Sequence, residues 1–502
     1  MDIVTIQFDR NSNIPMYIQI ANSIQNLIES GDLLEEEKLP SIRKLSKDLN
    51  VNNVTIVNAY KELENLGLVT AVKGSGYYVK NIDLEKNTNA YCNENICSIP
   101  NDELYEYEDV KLMNNGQIEI SENSINFASA IPDPSIFPIE GFKKALNTVL
   151  DRDKGFAFGY QESNGYEPLR ETLSNYLFKE CSIKVDADNI QIVSGAQQGI
   201  DIIGKVLLNS GDYVITENPT YPGAVAVFKS RGANVIGVPM EKDGINLEIL
   251  EEKLIKYKPK LIYLMTTYQS PTTISYSKEK MKKLLHLSKK YGVYILEDDS
   301  LSALSFSPLK NSITLKSLDT DDMVIYIKSF SKLLMPGLRI GFIISPENIL
   351  TNIIKAKHTT DISSSGLIQR ALQIYFENGE WQKHLNYMKK IYKSKYDVML
   401  KELNNLKKYN IQFTEPKGGL NFWVDLPKNI DGNKLYLECA KKDVLIVPCN
   451  LFFLDNENNN SIRISYAATN IEEIKIGFQI IEQCINKILT KGNKKTYINP
   501  LM

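Results

Sequence analysis

The sequence predicts an α/β protein in which a small helical domain precedes a large domain built on a mainly parallel sheet. Three observations support this expectation. The chain has 502 residues, which exceeds the length of one ordinary domain. Apolar residues recur at helical spacing within residues 1–80, whereas apolar β-branched runs alternate with helical stretches beyond residue 124. Hydrophobic residues make up 43% of the chain, so a large core is expected.

The charge, cysteines and histidines exclude several classes of protein. A formal net charge of -3 gives no general attraction to nucleic acid, so any DNA contact needs a local basic patch. The six cysteines form no Cys-x-x-Cys pair and the three histidines lie far apart, so neither a disulfide framework nor a metal site is expected. Without a secretory leader or a run of about 18 apolar residues, we expect a cytoplasmic protein with no membrane partner.

Residues 1–80 predict three helices. The first spans Met16 to Glu29, where apolar residues recur at helical spacing. Ser41 is a plausible N-cap of the second helix. A short turn at residues 50–53 leads into a third helix from Val54 to Leu66. Two helices joined by a tight turn to a longer helix form the outline of a helix-turn-helix.

A β-hairpin is predicted from Leu68 to Val79, because Gly74-Ser75-Gly76 separates two short apolar runs. With the three helices, this hairpin resembles the winged helix-turn-helix of GntR-type transcription regulators. The matching residues are Leu39-Pro40-Ser41-x-Arg43, Leu45, Thr55, Ala59-Tyr60, Leu63, Gly67 and Gly74-Ser75-Gly76-Tyr77-Tyr78-Val79. We therefore expect residues 1–80 to be a DNA-binding domain.

The resemblance implies which residues meet a double-stranded DNA operator. Arg43 would contact DNA from the second helix and Thr55 from the start of the recognition helix, while Gly74 and Gly76 would let the wing approach the minor groove. The other expected DNA-binding residues are Ser41, Lys44 and Lys73. Because this domain has eight basic and ten acidic residues, DNA binding should need a dimer that joins two half-sites. A winged helix used only for protein contacts is the alternative.

Residues 81–124 are rich in Asn and Glu and lack a sustained apolar period. This composition predicts a long polar linker. The large domain is then expected to cover residues 125–502.

Seven apolar runs predict the strands of the large domain. They are Ile190–Val193, Tyr213–Thr216, Val235–Val238, Leu261–Met265, Val293–Leu296, Val324–Ile327 and Ile340–Ile344. Because helical stretches lie between them, we expect a mainly parallel sheet that is covered on both faces. Such sheets bind ligands at the carboxyl ends of their strands.

Lys332 follows one of these strands, and Arg339 lies seven residues further on. A buried amine has a lowered pKa and can form a Schiff base with an aldehyde, while Arg339 and Ser329 could hold a phosphate. The stretch 329–341, with Ser-Phe-Ser-Lys and Pro-Gly-Leu-Arg-Ile-Gly, resembles the lysine segment of fold-type I pyridoxal 5'-phosphate (PLP) aminotransferases. A surface lysine and arginine beside a turn is the alternative.

The stretch Ser194-Gly195-Ala196-Gln197-Gln198-Gly199 follows the first predicted strand of the large domain and opens a helix. Its backbone N–H groups can meet a phosphate at the positive end of that helix. It resembles the phosphate cradle of fold-type I enzymes, so Gly195, Ala196 and Gln197 are expected to bind the cofactor. A tight turn that needs only small residues is the alternative.

Two further strand ends resemble parts of the same site. Tyr221, within residues 218–222, would approach the cofactor and stack on its ring, although a core or surface tyrosine is the alternative. The run Glu297-Asp298-Asp299 ends another strand, and by resemblance Asp298 would keep the pyridine nitrogen protonated, so that the ring remains an electron sink. Helix capping is the alternative role for its two acidic neighbours.

Ser270 and Ser300 stand where the family carries an asparagine and a tyrosine that contact the phenolic oxygen of the cofactor. Ser270 is still an expected cofactor-binding residue. The replaced donors help to set the electronics of the cofactor, so slow chemistry with retained covalent capture is expected. This is the pattern of a sensor.

Arg463 lies in Ser461-Ile462-Arg463-Ile464-Ser465-Tyr466-Ala467, which resembles the strand whose arginine binds the substrate α-carboxylate. An ordinary salt bridge is the alternative. By resemblance this strand belongs to a smaller α+β domain of about residues 394–502.

Together the two sets of motifs resemble the MocR family of bacterial regulators. The resemblance implies a PLP-binding domain that senses a small amine, an amino acid or PLP itself through aldimine chemistry, and a homodimer with a head-to-tail arrangement. Two alternatives remain. One is an active PLP-dependent aminotransferase with an accessory DNA-binding domain, and the other is a regulator that keeps the fold without the cofactor.

Overall fold

The computed structural model describes residues 6, 15–29, 33, 37–65, 68–72, 75–80, 124–306, 313–454 and 460–490. The chain divides into two compact units, Met1–Leu104 and Tyr105–Met502. Apart from Ser124, the predicted linker lies outside the described residues. Each unit is therefore described by itself.

The first unit contains three helices and an antiparallel hairpin, as predicted. Their bounds are α1 Met16–Glu29, α2 Ile42–Asp48, α3 Asn53–Asn65, β1 Val69–Val72 and β2 Gly76–Val79. Ser41 caps α2, because its side chain accepts a hydrogen bond from the backbone N–H of Lys44 at 3.3 Å. The buried Tyr60 donates its hydroxyl to the carbonyl of Pro40 at 2.7 Å. This bond holds α3 against the start of α2.

The second unit is organised around one sheet, in which the described residues form eight strands. Their bounds are β4 Ile190–Val193, β5 Tyr213–Asn218, β6 Asn234–Glu241, β7 Gly244–Ile245, β8 Leu261–Leu264, β9 Tyr294–Asp299, β10 Val324–Ser329 and β11 Gly341–Ile344. The order is β4-β11-β10-β9-β8-β5-β6-β7. Strands β10, β9, β8, β5 and β6 are parallel, whereas β11 runs antiparallel to both of its neighbours. All seven predicted runs are strands of this sheet, which is mainly parallel as expected.

Helices flank the sheet and continue to the C-terminal part of the unit. Their bounds are α4 Ile139–Asp153, α5 Glu167–Cys181, α6 Ala196–Leu207, α7 Pro222–Ser230, α8 Leu247–Tyr257, α9 Lys278–Tyr291, α10 Leu315–Leu318, α11 Glu347–Asp361, α12 Gly366–Glu377, α13 Glu380–Leu406, α14 Gly432–Ala440 and α15 Ile471–Thr490. Tyr326 of β10 shares a core with Leu169 of α5, whereas its neighbour Ile327 shares another with Ile200 of α6 and Ile353 of α11. Because strand side chains alternate, helices cover both faces of the sheet.

A smaller antiparallel sheet follows in the order β12-β13-β16-β15. Its strands are β12 Gln412–Phe413, β13 Asn421–Asp425, β15 Val447–Pro448 and β16 Ser461–Ser465. A separate parallel pair joins β3, Ile125–Asn126, to β14, Val444–Leu445. Residue 394, the predicted start of a smaller domain, lies inside the 27-residue helix α13. That long helix connects the part of the unit around the main sheet to the part around the smaller one.

The described residues contain neither a membrane-spanning helix nor a metal-binding cluster. No helix among them combines the length and apolar character needed to cross a membrane. No group of three or more His, Cys, Asp or Glu side chains in the same part of the chain could hold a metal ion.

Candidate functional site

Lys332 lies in the turn that follows β10, at the carboxyl edge of the parallel strands. Burial of the amine and the nearby positive charge of Arg463 lower the pKa of Lys332 to about 8, although Asp298 opposes this change. An exposed lysine has a pKa of about 10.4. A much larger fraction of Lys332 is therefore neutral and nucleophilic near pH 7.

Asp298 lies at the end of β9 and is 4% exposed. Its two carboxylate oxygens accept hydrogen bonds from the hydroxyl groups of Tyr263 at 2.9 Å and Ser300 at 3.0 Å. Burial raises the pKa of Asp298, while these bonds and the charge of Lys332 lower it. Since two neutral hydroxyls hold it, the carboxylate is well placed to pair with a protonated ring nitrogen.

The acidic neighbours of Asp298 have structural partners. Glu297 accepts hydrogen bonds from the backbone N–H groups of Leu315 and Lys316 at 2.7 and 2.8 Å, so it caps α10 as the helix-cap alternative expected. Asp299 pairs with the fully buried Lys328 at 2.7 Å. Of the three carboxylates, Asp298 is the one whose hydrogen-bond donors among the described residues are all hydroxyl groups.

Arg339, Ser329 and Ser331 form a polar cradle with the loop before α6. Arg339 donates from Nη2 to the carbonyl of Ser194 at 2.8 Å and from Nη1 to Ser331 Oγ at 3.3 Å. The Oγ atoms of Ser329 and Ser331 lie 3.2 Å apart. Ser331 is not among the site residues expected from the sequence, although the Ser-x-Ser spacing was a signal that both hydroxyls come together.

Gly195 closes the cradle at the N-terminus of α6, where no side chain caps the helix. Its φ of +91° favours glycine, and an added Cβ would lie 2.9 Å from Arg339 Nη2. Ala196 and Gln197 are the first two residues of α6, so their backbone N–H groups lie at the positive helix end. This combination of a guanidinium, two hydroxyls and a helix N-terminus suits a phosphate group.

Tyr221 interacts electrostatically with Arg339 of the cradle and with Asp298. Its hydroxyl donates to Gln197 Oε1 at 3.3 Å, and Gln197 Nε2 donates to the carbonyl of Gly223 at 2.8 Å. Burial raises the pKa of Tyr221, the charge of Asp298 raises it further, and the charge of Arg339 lowers it. The hydroxyl of Tyr221 is therefore close enough to both charged groups for each to change its pKa.

Ser270 is buried in the loop after β8. The preceding residue, Gln269, donates from Nε2 to Glu217 at 3.1 Å and to the carbonyl of Pro219 at 2.8 Å. These bonds tie the Ser270 loop to the end of β5, which leads into Tyr221. Ser300 instead donates to Asp298, on the side of the site where a ring nitrogen would bind.

Arg463 lies on β16 of the smaller sheet, and its positive charge reaches Lys332. Burial lowers the pKa of its guanidinium, which nevertheless stays charged at neutral pH. Arg463 donates from Nη2 to the carbonyl of Ala128, lies over the ring of Phe452 and leaves its buried Nε without a partner among the described residues. Within that part of the chain it forms no salt bridge, contrary to the alternative expectation.

These groups match the parts of PLP. An amine is available for the aldehyde, a buried carboxylate for the pyridine nitrogen, and the cradle around Gly195 for the phosphate. A Cβ at Gly195 would fill the cradle, and the buried Nε of Arg463 has no hydrogen-bond partner within the described part of the chain. The residues present therefore fit the cofactor.

The structure describes five of the seven expected DNA-binding residues of the first unit. Arg43 and Lys44 are exposed on α2. Thr55 is partly exposed in the first turn of α3, and Gly76 opens β2 with a φ of +127°. Lys73 and Gly74 lie outside the described residues. Ser41 is exposed but already caps α2.

Comparison with known proteins gives two family matches. The model described as "Aminotransferase class I and II" matches residues 122–481, and the model described as "Bacterial regulatory proteins, gntR family" matches residues 16–79.

Two curated relatives are similar over almost the whole chain. The uncharacterized HTH-type transcriptional regulator YdfD of Bacillus subtilis (strain 168) is 31% identical over 484 residues, which cover 95% of this chain and 98% of the relative. The HTH-type transcriptional regulator NorG of Staphylococcus aureus (strain USA300) is 30% identical over 453 residues, which cover 90% of this chain and all of the relative.

Among solved structures, the second unit is similar to LysN, the alpha-aminoadipate aminotransferase of Thermus thermophilus, in its complex with N-(5'-phosphopyridoxyl)-L-leucine. The TM-score is 0.69 and the identity 30%, over 74% of this chain and 95% of the LysN chain. The likeness thus covers the part of the molecule that holds Lys332, Asp298 and Arg339.

Proposed function

Because of the family to which the chain belongs, we propose that an amino-acid or small-amine effector, bound beside PLP, changes the affinity of the protein for operator DNA. The chain belongs to the aminotransferase class I and II family and, through its GntR-family domain, to the HTH-type transcriptional regulators of MocR type. The protein is a DNA-binding regulator with PLP as its cofactor. The observation that carries the proposal is Arg463, a partly buried arginine whose charge reaches the amine of Lys332 and whose buried Nε has no hydrogen-bond partner among the described residues.

PLP supplies an electrophilic aldehyde and a ring that withdraws electrons. Lys332 offers the neutral amine at that aldehyde, because burial keeps its pKa low. Asp298 would keep the pyridine nitrogen protonated. Arg339, with Ser329, Ser331 and the first N–H groups of α6, would hold the phosphate, and Tyr221 would lie beside the ring.

Arg463 would bind the carboxylate of an amino-acid effector in a bidentate manner. Its present bond to Ala128 must then be shared or exchanged, and Ala128 lies two residues beyond β3. The chain reaches β3 directly from residues 81–124, which follow the DNA-binding domain. An effector that favours one arrangement of Arg463 and Ala128 over another would shift the populations of the two, which is the requirement for allosteric control.

Operator affinity should change by at least about 5-fold when the effector binds, since allosteric coupling energies are commonly about 1–3 kcal/mol. The measurement is binding of labelled upstream DNA to the PLP-loaded chain, with a panel of amino acids, small amines and free PLP. In Arg463→Met the response to any carboxylate-bearing effector should disappear.

Arg231→Met is the matched control, because it removes an arginine that pairs with Asp201 at 2.5 Å on the same unit. It should keep the full response. If no member of the panel alters wild-type operator binding, effector control by this site is wrong.

An active aminotransferase is a second candidate, favoured by the likeness to LysN and by the presence of Lys332. Against it, Ser270 and Ser300 replace the usual phenolic-oxygen donors, and Ser300 donates to Asp298 instead. The same panel, incubated with a keto acid and analysed for new amino acids, separates steady turnover from binding alone.

The proposal includes a homodimer with a head-to-tail arrangement, which would join two DNA-binding domains. Its support is a short aromatic segment in which Phe156, Phe158 and Tyr160 are 84%, 68% and 84% exposed. Three large rings in open solvent are unusual for a monomer. Light scattering of the intact chain should give twice its mass, and Phe156→Ser combined with Phe158→Ser should reduce it. A wild-type mass of one chain at micromolar concentration would contradict the dimer.

A further inference from the structure

We infer that Gln198 and Asp361 are positioning residues that hold Arg339 in place for the phosphate of PLP, and that they set how strongly this protein prefers phosphorylated over unphosphorylated pyridoxal. The inference rests on the phosphate site proposed above. Arg339 is expected to contact the phosphate directly. Gln198 and Asp361 are not, so both act through other groups.

The side chain of Arg339 is exposed. Little packing fixes its guanidinium, so its direction depends on the bonds to the carbonyl of Ser194 at 2.8 Å and to Ser331 Oγ at 3.3 Å. The Ser194 bond is the shorter of the two. The direction of the Ser194 carbonyl, which the backbone conformation of Ser194 sets, therefore decides where the guanidinium points.

Gln198 holds the backbone of Ser194 from its other side. The backbone N–H of Ser194 donates to Gln198 Oε1 at 2.8 Å. Because Gln198 lies in the first turn of α6, its side chain can reach back to the loop before the helix. The backbone of Ser194 is thus held by Gln198 on one side and by Arg339 on the other.

Asp361, at the end of α11, fixes the amide of Gln198. Gln198 Nε2 donates to Asp361 Oδ2 at 2.8 Å, so the amide must present its oxygen to Ser194. The other oxygen of Asp361 accepts from Lys357, a lysine with 0% exposure on the same helix. Since a buried ammonium needs its counter-charge, Asp361 is itself held in place.

Other contacts besides the hydrogen bonds of Gln198 and Asp361 also hold α6 against α11. The two helices share an apolar core that includes Ile200, Ile203 and Ile353. Lys205 Nζ also donates to Thr359 Oγ1 at 2.8 Å between the same helices. Lys205→Met therefore removes an equivalent bond between these helices without touching the cradle, and it serves as a matched control.

The test measures the dissociation constants of PLP and of pyridoxal for the full-length chain freed of cofactor. The quantity compared is the ratio of the pyridoxal constant to the PLP constant, in wild type, Gln198→Ala, Asp361→Asn and Lys205→Met. Loss of orientation at a charged hydrogen-bonding group should lower that ratio by about tenfold in Gln198→Ala. Asp361→Asn should lower it in the same direction, and Lys205→Met should leave it unchanged.

Each other outcome has a definite meaning. A wild-type ratio near one would overturn the proposed phosphate site itself. A large wild-type ratio that Gln198→Ala and Asp361→Asn both keep would overturn the positioning role alone. Equal weakening of PLP and pyridoxal would also overturn it, because general loosening of the fold affects both ligands alike.

Discussion

Lys332→Ala should abolish the visible absorbance band of bound PLP and weaken PLP binding by at least about 100-fold, or about 2.7 kcal/mol. The reason is that Lys332 offers the amine for the aldehyde, with its pKa lowered by burial and by the charge of Arg463. The measurement is the absorbance spectrum after gel filtration, together with peptide mass mapping after borohydride reduction. The reduced cofactor should be found on the peptide that contains Lys332.

Two controls accompany this substitution. Lys332→Arg keeps a positive charge but supplies no neutral amine, so it should behave as alanine does. Lys205→Ala removes an exposed lysine on α6 and should retain the band. A band that survives in both Lys332 variants would place the covalent link elsewhere and remove the basis of the proposed site.

The same amine predicts how cofactor uptake depends on pH. The pKa of Lys332 is lowered to about 8, so its nucleophilic neutral form increases as pH rises through 8. The rate of PLP uptake should therefore rise between about pH 7 and 9 and then level off, whereas an exposed lysine would keep gaining neutral amine to about pH 10.4. Stopped-flow absorbance measures this profile. A midpoint near 10 would contradict a buried amine.

The pH dependence of the stability of the cofactor-free protein should also reflect the lowered pKa of Lys332. Between about pH 8 and 10.4 the unfolded chain still binds a proton at Lys332, while the folded chain does not. The free energy of unfolding therefore increases as pH rises through that window. Below the window, the folded state carries the full free-energy cost of burying the charged amine of Lys332.

Replacing both Arg43 and Lys44 with alanine should weaken operator binding by about 100-fold or more. Both side chains are exposed on α2, and removing a DNA-binding side chain costs roughly 1–3 kcal/mol, with the same cost repeated in the second protomer of a dimer. The measurement is operator affinity over a range of salt concentrations. The slope of log affinity against log salt should become shallower by about one for each phosphate that the variant no longer neutralises.

Lys282→Ala combined with Lys283→Ala is the matched control. These lysines are exposed on α9 of the other unit, so the variant loses the same charge far from the expected DNA surface in sequence. It should bind the operator as wild type does. Equal binding by the Arg43 and Lys44 variant would favour the alternative in which the winged helix serves only protein contacts.

Several features of the fold follow from local patterns. Seven of the eight described strands of the main sheet were predicted because β-branched apolar runs stand between helical stretches, and α2 begins after Ser41 because a serine there caps the first turn. The antiparallel direction of β11 was not predicted. A strand alternates its side chains in the same way in either direction, so its pattern does not reveal which way it runs.

The long helix α13 shows a related difficulty. The smaller domain predicted from about residue 394 would begin within this helix, which passes through that position without a break, and its boundary stays a prediction. The apolar stripe of a helix continues as long as some core lies beside it. Local periodicity therefore does not reveal where one packing environment ends and the next begins.

Within the site, the chemistry of Lys332 and Arg339 and the resemblance of their segment to fold-type I motifs predicted their roles, and resemblance alone singled out Asp298; the cofactor-binding roles of all three stay predictions. The partnerships among distant residues needed the folded chain. Gln198 and Asp361 are 163 positions apart, and Arg463 reaches Ala128 across 335 positions. Such contacts depend on the order of strands and on the packing of helices across the sheet. The spacing of neighbouring side chains along the sequence reveals neither of these.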